Sequence, residues 1–246
     1  MNVCAADLHV HTALSPCAEN DMTPPAIVRR ALAEGLGMIA ICDHNSARNA
    51  AAVQEAAGTR LAVLAGMEIT TLEECHVVAL FPDAEAARAA GVEVSATLGQ
   101  VDDGYQEFFG EQHVLAADGS ERARETLALA TATTLDVDAA VRLVHGHGGL
   151  AIAAHIDRRS FGVISQLGLF PADAGFDAVE LSRHVAPGSP IEAEFAVHGL
   201  PFVHSSDAHY QGDIGAARTV VHCERATFAE LALALTGARG RSVGDA

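Results

Sequence analysis

Residues 7–12 read Asp7-Leu8-His9-Val10-His11-Thr12, at the end of a strand-like stretch that begins at Asn2. Successive side chains of an extended strand point to opposite faces, so His9 and His11, two positions apart, share one face. Two neutral imidazoles on a stiff backbone form part of a cage for Zn, Mn or Fe, needing only carboxylates or water to complete it. Chemistry is therefore expected at the carboxyl end of the first strand.

The same arrangement recurs along the chain. Asp43-His44 follows the apolar run Met38-Ile39-Ala40-Ile41-Cys42, and Glu68 ends the run from Leu61 to Met67. His76 opens Val77-Val78-Ala79-Leu80 after Glu73 and Glu74, and His155 closes Leu150-Ala151-Ile152-Ala153-Ala154. Asp207 and His209 follow Pro201-Phe202-Val203-His204-Ser205-Ser206 as a second pair spaced by two. In parallel α/β architectures the active site gathers at the carboxyl ends of the strands, where these groups would converge. A single histidine near a strand end is more often a hydrogen-bonded structural residue. Burying about eight such polar groups together is costly without partners, and metal ions are the partners that satisfy them jointly.

Short apolar runs alternating with helix-like stretches predict strands at about 2–8, 37–42, 61–68, 75–81, 150–155, 177–182, 201–205 and 218–222, with crossover helices between them. Thr23 before Pro24 and Pro25 reads as a helix start with the hydroxyl as cap, and Asp136 opens a helix ended by Gly146 or Gly148. Residues 92–135 break the rhythm with Asp102, Asp103, Gly104, Phe108 and Phe109 and then a polar turn at Asp118 to Ser120. A connection of this length reads as an insertion or cap on a single domain spanning 1–246.

The chain carries 32 Asp plus Glu against 15 Lys plus Arg, a formal net charge of −17. Such a surface repels phosphate backbones, so duplex nucleic acid is not expected as a partner. Lysine is absent, which leaves arginine as the side chain to hold phosphate beside metal or histidine. Five cysteines at wide spacing, with no CxxC pair, do not form a disulfide framework. The sequence displays neither a secretory signal nor an apolar run long enough to span a membrane, and a cytoplasmic location is the expectation.

The ordered segments DLHVHT, CDHN, GMEIT, ECHVVALF, AAHID and SSDAHY resemble the polymerase-and-histidinol-phosphatase (PHP) superfamily over nearly the whole chain. An HxH pair alone is weak evidence, whereas six motifs in the family's order are specific. The resemblance is to the stand-alone branch assigned as metal-dependent phosphoesterases, and it implies an α/β fold, a distorted (β/α)7 barrel with a trinuclear site. It further implies that His9, His11, Glu68 and Asp207 hold one metal, that Glu68 bridges to a second, and that His76 and His155 complete the second. A third would be held by His44, His209 and a ligand from the first loop, where the family usually places an Asp or His a few residues after HxH. Here that loop reads Ala13-Leu14-Ser15-Pro16-Cys17-Ala18-Glu19-Asn20-Asp21, with Cys17 the nearest candidate and Asp21 the next. A thiolate would favour zinc or iron over magnesium; the bland alternative is an inert Cys17 beside a weak or empty third site. Cys42 and Cys75 alternate away from the neighbouring ligands and are expected to pack in the core.

The expected chemistry is hydrolysis of a small phosphate ester by a metal-bridged hydroxide, with two or three divalent ions (Zn, Fe or Mn) holding the developing oxyanions. Activity should then rise with pH as bound water titrates, from near 16 toward about 7. Asp43, Glu68 and His209 are the catalytic candidates, with Asp43 and Asp7 also suited to orienting histidine rings. Arg158, Arg159 and Arg183 are the candidates to bind substrate phosphate. His113, His145, His147, His198 and His222 fall outside the motifs as surface or helix-end residues, and His204 is expected to support ligands rather than to be one. The alternatives are histidinol-phosphate phosphatase, a metal-dependent amidohydrolase without a carbamylated lysine, and a noncatalytic metal-binding protein. The substrate among nucleotide, sugar phosphate and oligonucleotide end, and the oligomeric state, are not legible.

Overall fold

Runs of alanine, valine and isoleucine pair into a single nine-stranded sheet in a computed structural model that describes residues 1–196 and 199–244. His198 lies outside the described residues. The strands are β1 (Asn2–Val10), β2 (Met38–Ile41), β3 (Ala62–Thr70), β4 (His76–Phe81), β5 (His113–Leu115), β6 (Glu121–Arg124), β7 (Leu150–Ala153), β8 (Ala178–Leu181), β9 (Phe202–His204), β10 (Thr219–Cys223) and β11 (Ser242–Val243). The helices are α1 (Pro24–Ala33), α2 (Ala50–Ala57), α3 (Ala84–Ser95), α4 (Asp103–Phe109), α5 (Val137–Gly146), α6 (Val163–Leu167), α7 (Pro190–Phe195) and α8 (Phe228–Leu235). The main sheet runs β11-β10-β1-β2-β3-β4-β7-β8-β9. It curls until the segment after β9 lies beside β1, where His11 N–H donates to the Ala208 carbonyl at 2.9 Å and Ala208 N–H to the His9 carbonyl at 3.2 Å. The result is the expected barrel, nearly closed, with helices outside it.

One expectation about direction needs correction. The rhythm predicts a parallel sheet throughout, yet β4 runs antiparallel to both β3 and β7, as β10 does to β1. The reason is chain length. A parallel connection needs a dozen or more residues, and Thr71 to Cys75 supply only a tight turn, closed by Thr71 N–H to the Cys75 carbonyl at 2.8 Å. The reversal brings His76, the first residue of β4, opposite Thr70, the last of β3. A residue at the start of its strand thus joins the edge where the parallel strands end.

Two apolar layers hold the barrel. Ile39, Ile41, Met67, Ile69, Val77 and Val179 face outward against Ile27, Val53, Ala87 and Val141 of the helices. Ala6, Leu8, Met38, Ala40, Leu64, Val78, Ile152 and Ala178 face one another inside, joined by Leu231 and Leu235 of α8. The interior is tight at Gly66, where a Cβ would sit 2.6 Å from the Ala79 carbonyl oxygen. The β1–β2 register slips between Asp7 and Val10, a bulge that re-aims the end of β1.

Helix α5 begins as its sequence predicts, with the Asp136 carboxylate accepting from Ala139 N–H at 2.7 Å. Helix α1 does so only in part. Pro24 and Pro25 occupy its first turn as expected, but the hydroxyl of the cap residue Thr23 makes no capping bond. The irregular segment begins later than expected, since α3 continues to Ser95, and it contains α4 and a β5–β6 ribbon. The ribbon packs on the loop after β1: His113 N–H donates to the Ala13 carbonyl at 2.8 Å, and Leu14 packs with Val114 and Leu129. Among the described residues no helix is long and apolar enough to cross a membrane.

Candidate metal centre

The barrel delivers His9 and His11 from β1, His44 from the end of β2, Glu68 from β3, His76 from β4, His155 after β7, and Asp207 and His209 after β9 to one edge. Glu68 is at the middle of them. Its Oε1 stands 2.6 Å from His76 Nδ1, 3.2 Å from His155 Nε2 and 3.4 Å from His9 Nε2. Its Oε2 stands 3.0 Å from His44 Nδ1 and 3.5 Å from His11 Nε2. Three ligand sets interlock, each with its donor atoms within 4.8 Å of one another: His9, His11, Glu68 and Asp207; His44, Glu68 and His76; and His11, His44 and His209.

Hydrogen bonding on the far side of each ring explains why the near side needs a cation. His9 Nδ1 lies 3.1 Å from both oxygens of the Glu180 carboxylate, so Nδ1 carries a proton and Nε2 is the nitrogen turned to the cluster. Ser15 Oγ donates to Asp43 Oδ1 at 2.8 Å, so it accepts the proton of His11 Nδ1 at 2.9 Å, which leaves the Nε2 of the neutral His11 ring as a lone pair facing the cluster. The two Nε2 atoms face each other at 3.1 Å. His44 Nδ1, His76 Nδ1 and Glu68 Oε2 are buried without a hydrogen-bond partner. Buried polar atoms crowded together in this way, several of them without a hydrogen-bond partner, are expensive in the interior. A divalent cation between them satisfies all of them, so the residues fit a site for more than one metal ion.

The electrostatics agree. Burial pushes His9 toward its neutral form, but the carboxylates of Glu180, Glu68 and Asp207 outweigh it and hold its pKa well above the usual value. Burial opposes ionisation of Glu68 and Asp207, yet the surrounding rings, His76 and His9 first for Glu68 and His9 for Asp207, keep both well below the ordinary carboxylate range. Burial and the His209 ring drive His11 well below its usual value. Two anionic carboxylates thus sit among imidazoles, an arrangement that attracts metal ions. His155 and Asp207 adopt positive φ, 27° and 51°, a conformation that costs such residues about 1–3 kcal/mol each and clusters at functional sites.

The supporting residues are partly those expected. Asp43 accepts from Thr12 N–H at 2.7 Å, Thr12 Oγ1 at 2.8 Å and Ser15 Oγ, and so reaches His11 through Ser15 rather than facing the cluster. Asp7 does not orient a histidine as expected. Its carboxylate instead accepts from Ser206 N–H, Ser206 Oγ and Gly215 N–H, fixing the loop that carries Asp207, because it precedes the bulge and lies on the face of β1 opposite the inward Ala6 and Leu8. Although these donors favour its charge, burial dominates and raises its pKa to about 6. His204 does not touch the cluster; its Nε2 lies 4.0 Å from Glu192. His145 and His147 pair with Asp177 and Glu93 away from the site. Cys42 and Cys75 are buried in the apolar clusters.

Glu180 is the functional residue that sequence reasoning misses. The available signal is one charged residue in the otherwise apolar strand Ala178-Val179-Glu180-Leu181, here 1% exposed and also accepting from His155 N–H. Neither Cys17 nor Asp21 enters the three ligand sets among the described residues. Partial desolvation would raise the Cys17 thiol, but hydrogen bonds with His209 and His44 outweigh it and bring its pKa down to about 6. Arg158 Nη1 lies 2.5 Å from Asp207 Oδ2, Arg159 lines the adjacent cavity, and Arg183 is held by Asp213 at 2.8 Å.

The PHP domain family matches residues 7–169, and the PHP-associated family matches residues 193–239. No curated protein matches the chain. Among solved structures, the lesion-specific Endonuclease Q from Pyrococcus furiosus is similar at 18% identity and a TM-score of 0.74, over 98% of this chain and 58% of that one. The chain therefore spans 58% of the length of that protein. A candidate metal-dependent phosphoesterase from Bifidobacterium adolescentis is 23% identical at a TM-score of 0.57, over 84% of this chain and 88% of that one. An amidohydrolase from Chromobacterium violaceum with bound sulfate is 22% identical at a TM-score of 0.59, over 86% of this chain and 90% of that one. At these identities the likeness is one of fold.

The exclusion of duplex nucleic acid is overturned. Endonuclease Q, on this fold and at the same TM-score of 0.74, has been solved in complex with a 27-mer duplex bearing an abasic lesion at its active site. Net charge is a sum over the whole surface, whereas recognition depends on the local field at the site, to which bound cations contribute most.

Proposed function

The chain belongs to the PHP domain family, and from that premise we propose that it is a phosphoesterase whose metal centre hydrolyses a small phosphate ester: a nucleotide, a sugar phosphate or an oligonucleotide end. The observation that carries the reading is the convergence of the Nε2 atoms of His9 and His11, 3.1 Å apart, beside the carboxylates of Glu68 and Asp207. When bound, divalent ions there would polarise phosphoryl oxygens and lower the pKa of water from near 16 toward about 7.

The chain's own residues divide the remaining work. His9, His11, Glu68 and Asp207 would hold one ion, and Glu68 with His76 and His155 a second. His44 and His209 would hold a third with Cys17, whose thiol pKa these two rings lower to about 6, which favours it over Asp21. The thiolate donor favours zinc or iron, with manganese the other candidate. Glu180, and Asp43 acting through Ser15, keep the ring protons of His9 and His11 on the side away from the centre. His209 donates its Nδ1 proton to the Asp207 carbonyl at 3.0 Å and, with the most exposed side chain of the ligand histidines, would face the leaving group. Arg158, paired with Asp207 beside the cluster, would supply a guanidinium to a non-bridging phosphoryl oxygen.

The test is elemental analysis of purified protein joined to a phosphate-release screen over nucleotide and sugar phosphates. Bound Zn, Fe or Mn with phosphate release that His9→Ala abolishes is the expected result. A folded protein without metal, or hydrolysis indifferent to His9→Ala, overturns the proposal.

A further inference from the structure

Shortly after His155 the chain places an aromatic ring against the metal centre. Phe161 stacks on His76, ring centroids 4.4 Å apart and planes at 15°, and its carbonyl accepts from His76 N–H at 2.9 Å. His76 is itself 2.6 Å from Glu68, so the Phe161 ring lies one side chain away from the central carboxylate. Yet Phe161 remains 40% exposed, and with Arg158, Arg159 and Ser160 it lines an open cavity of 390 Å³.

The backbone holds the ring there at a cost. Phe161 has φ +62°, a left-handed conformation that bulky side chains rarely adopt. The next residue must be glycine, since a Cβ on Gly162 would sit 2.6 Å from the Arg158 carbonyl oxygen. Ser165 Oγ ties the loop by sharing its one proton between the Arg158 carbonyl at 3.0 Å and the Gly162 carbonyl at 2.8 Å. A strained, fixed loop that leaves an apolar ring half in water serves something other than core packing. One face of the ring is taken by His76, and the remaining surface fronts the cavity flanked by arginines.

We propose that Phe161 is a specificity-determining residue that stacks the nucleobase of the substrate, so that the ester cleaved at this centre is a nucleotide or a nucleotide end and not a bare sugar phosphate. The inference rests on the phosphoesterase reading. A flat base bears a π-face whatever its sequence identity, and stacking on an aromatic side chain contributes about 1–3 kcal/mol, or about 5- to 150-fold in affinity. The phosphate end would lie at the ligand cluster beyond His76, with Arg158 beside Asp207.

The chain contains no tryptophan, so Phe161→Trp introduces a single indole reporter at the ring's position. Metal-loaded Phe161→Trp is mixed rapidly with AMP, with a 5′-phosphorylated single-stranded tetranucleotide, and with ribose 5-phosphate. The expected result is fluorescence quenching by AMP or the tetranucleotide and none by ribose 5-phosphate, the stronger binder of the first two identifying free nucleotide or chain end. In steady-state assays Phe161→Ala raises KM for AMP or for the tetranucleotide about 5- to 150-fold and changes KM for ribose 5-phosphate less than about twofold, while Phe161→Tyr retains the wild-type preference. An indole that does not respond to either base-bearing probe, or a Phe161→Ala variant that weakens all three esters equally, overturns the proposal while leaving phosphate release intact. Absence of phosphate release from every ester by metal-loaded wild type overturns the underlying phosphoesterase reading instead, and the fluorescence titration still decides whether a base stacks.

Discussion

Both carboxylate oxygens of Glu180 stand 3.1 Å from Nδ1 of His9, so a strand that supplies no candidate ligand orients the ring of one that does. Removing such an outer partner lowers metal affinity by about 10- to 100-fold in comparable sites. Glu180→Ala is expected to weaken metal binding by that factor in chelator-competition titrations, and Glu180→Gln, which keeps an acceptor oxygen, to lose less. Equal affinity in wild type and Glu180→Ala would mean that His9 does not use its Nε2 for metal.

Metal removal should destabilise the fold, because ions that bind only the native state add stability by mass action. At a free ion concentration 100 times Kd the contribution is about 2.7 kcal/mol, worth about 5 to 11 °C in Tm for a domain of this size. Calorimetry of chelator-dialysed and reconstituted protein measures it. A Tm independent of added Zn or Mn counts against a metal site built from these residues.

Cys17 is the one exposed cysteine among the described residues. With its pKa lowered to about 6, its thiol is deprotonated above that pH, so at neutral pH most of it is the reactive thiolate, and reactivity is lost as pH falls through 6. Iodoacetamide labelling of metal-free protein, followed by mass spectrometry, is expected to show a rate midpoint near pH 6. The midpoint should move up toward 9, the unperturbed value, in His44→Ala and His209→Ala. If Cys17 joins a metal, Zn protects it; labelling unaffected by Zn removes it from the ligand set.

Gly66 and Gly146 separate steric need from mere occurrence of glycine. A Cβ at Gly66 collides with the Ala79 carbonyl and the Leu80 side chain inside the barrel, whereas Gly146, at the end of α5, meets nothing within 4 Å. Gly66→Ala is expected to cost about 1–3 kcal/mol, a fall of about 2 to 12 °C in Tm. Gly146→Ala should be neutral or stabilising by up to about 1 kcal/mol, because alanine is the better helix former. Thermal melts of the two variants decide the comparison.

Much of the centre is legible in the sequence. His9 and His11 declare themselves by spacing, since a period of two assigns a shared face wherever a strand forms, and the apolar runs before His44, Glu68, His155 and Asp207 mark those residues as strand-end groups. Glu180 is not legible, because its place in an apolar strand is equally that of a buried residue pairing with anything across the barrel. The reversal of β4 is foreshadowed by the six or so residues between two predicted strands, too few for a crossover.

Local sequence determined by itself which segments extend, where each strand ends and which polar residues stand at those ends, because alternation and turn chemistry act over a few residues. Only the tertiary structure decided that Glu68 sits among five histidines, that Glu180 and Ser15 set the ring protons of His9 and His11, that Asp7 braces the Asp207 loop, and that Phe161 lies on His76. Those pairings join residues up to about two hundred positions apart. They follow from closure and register of the sheet, to which every strand contributes at once and which no local pattern encodes.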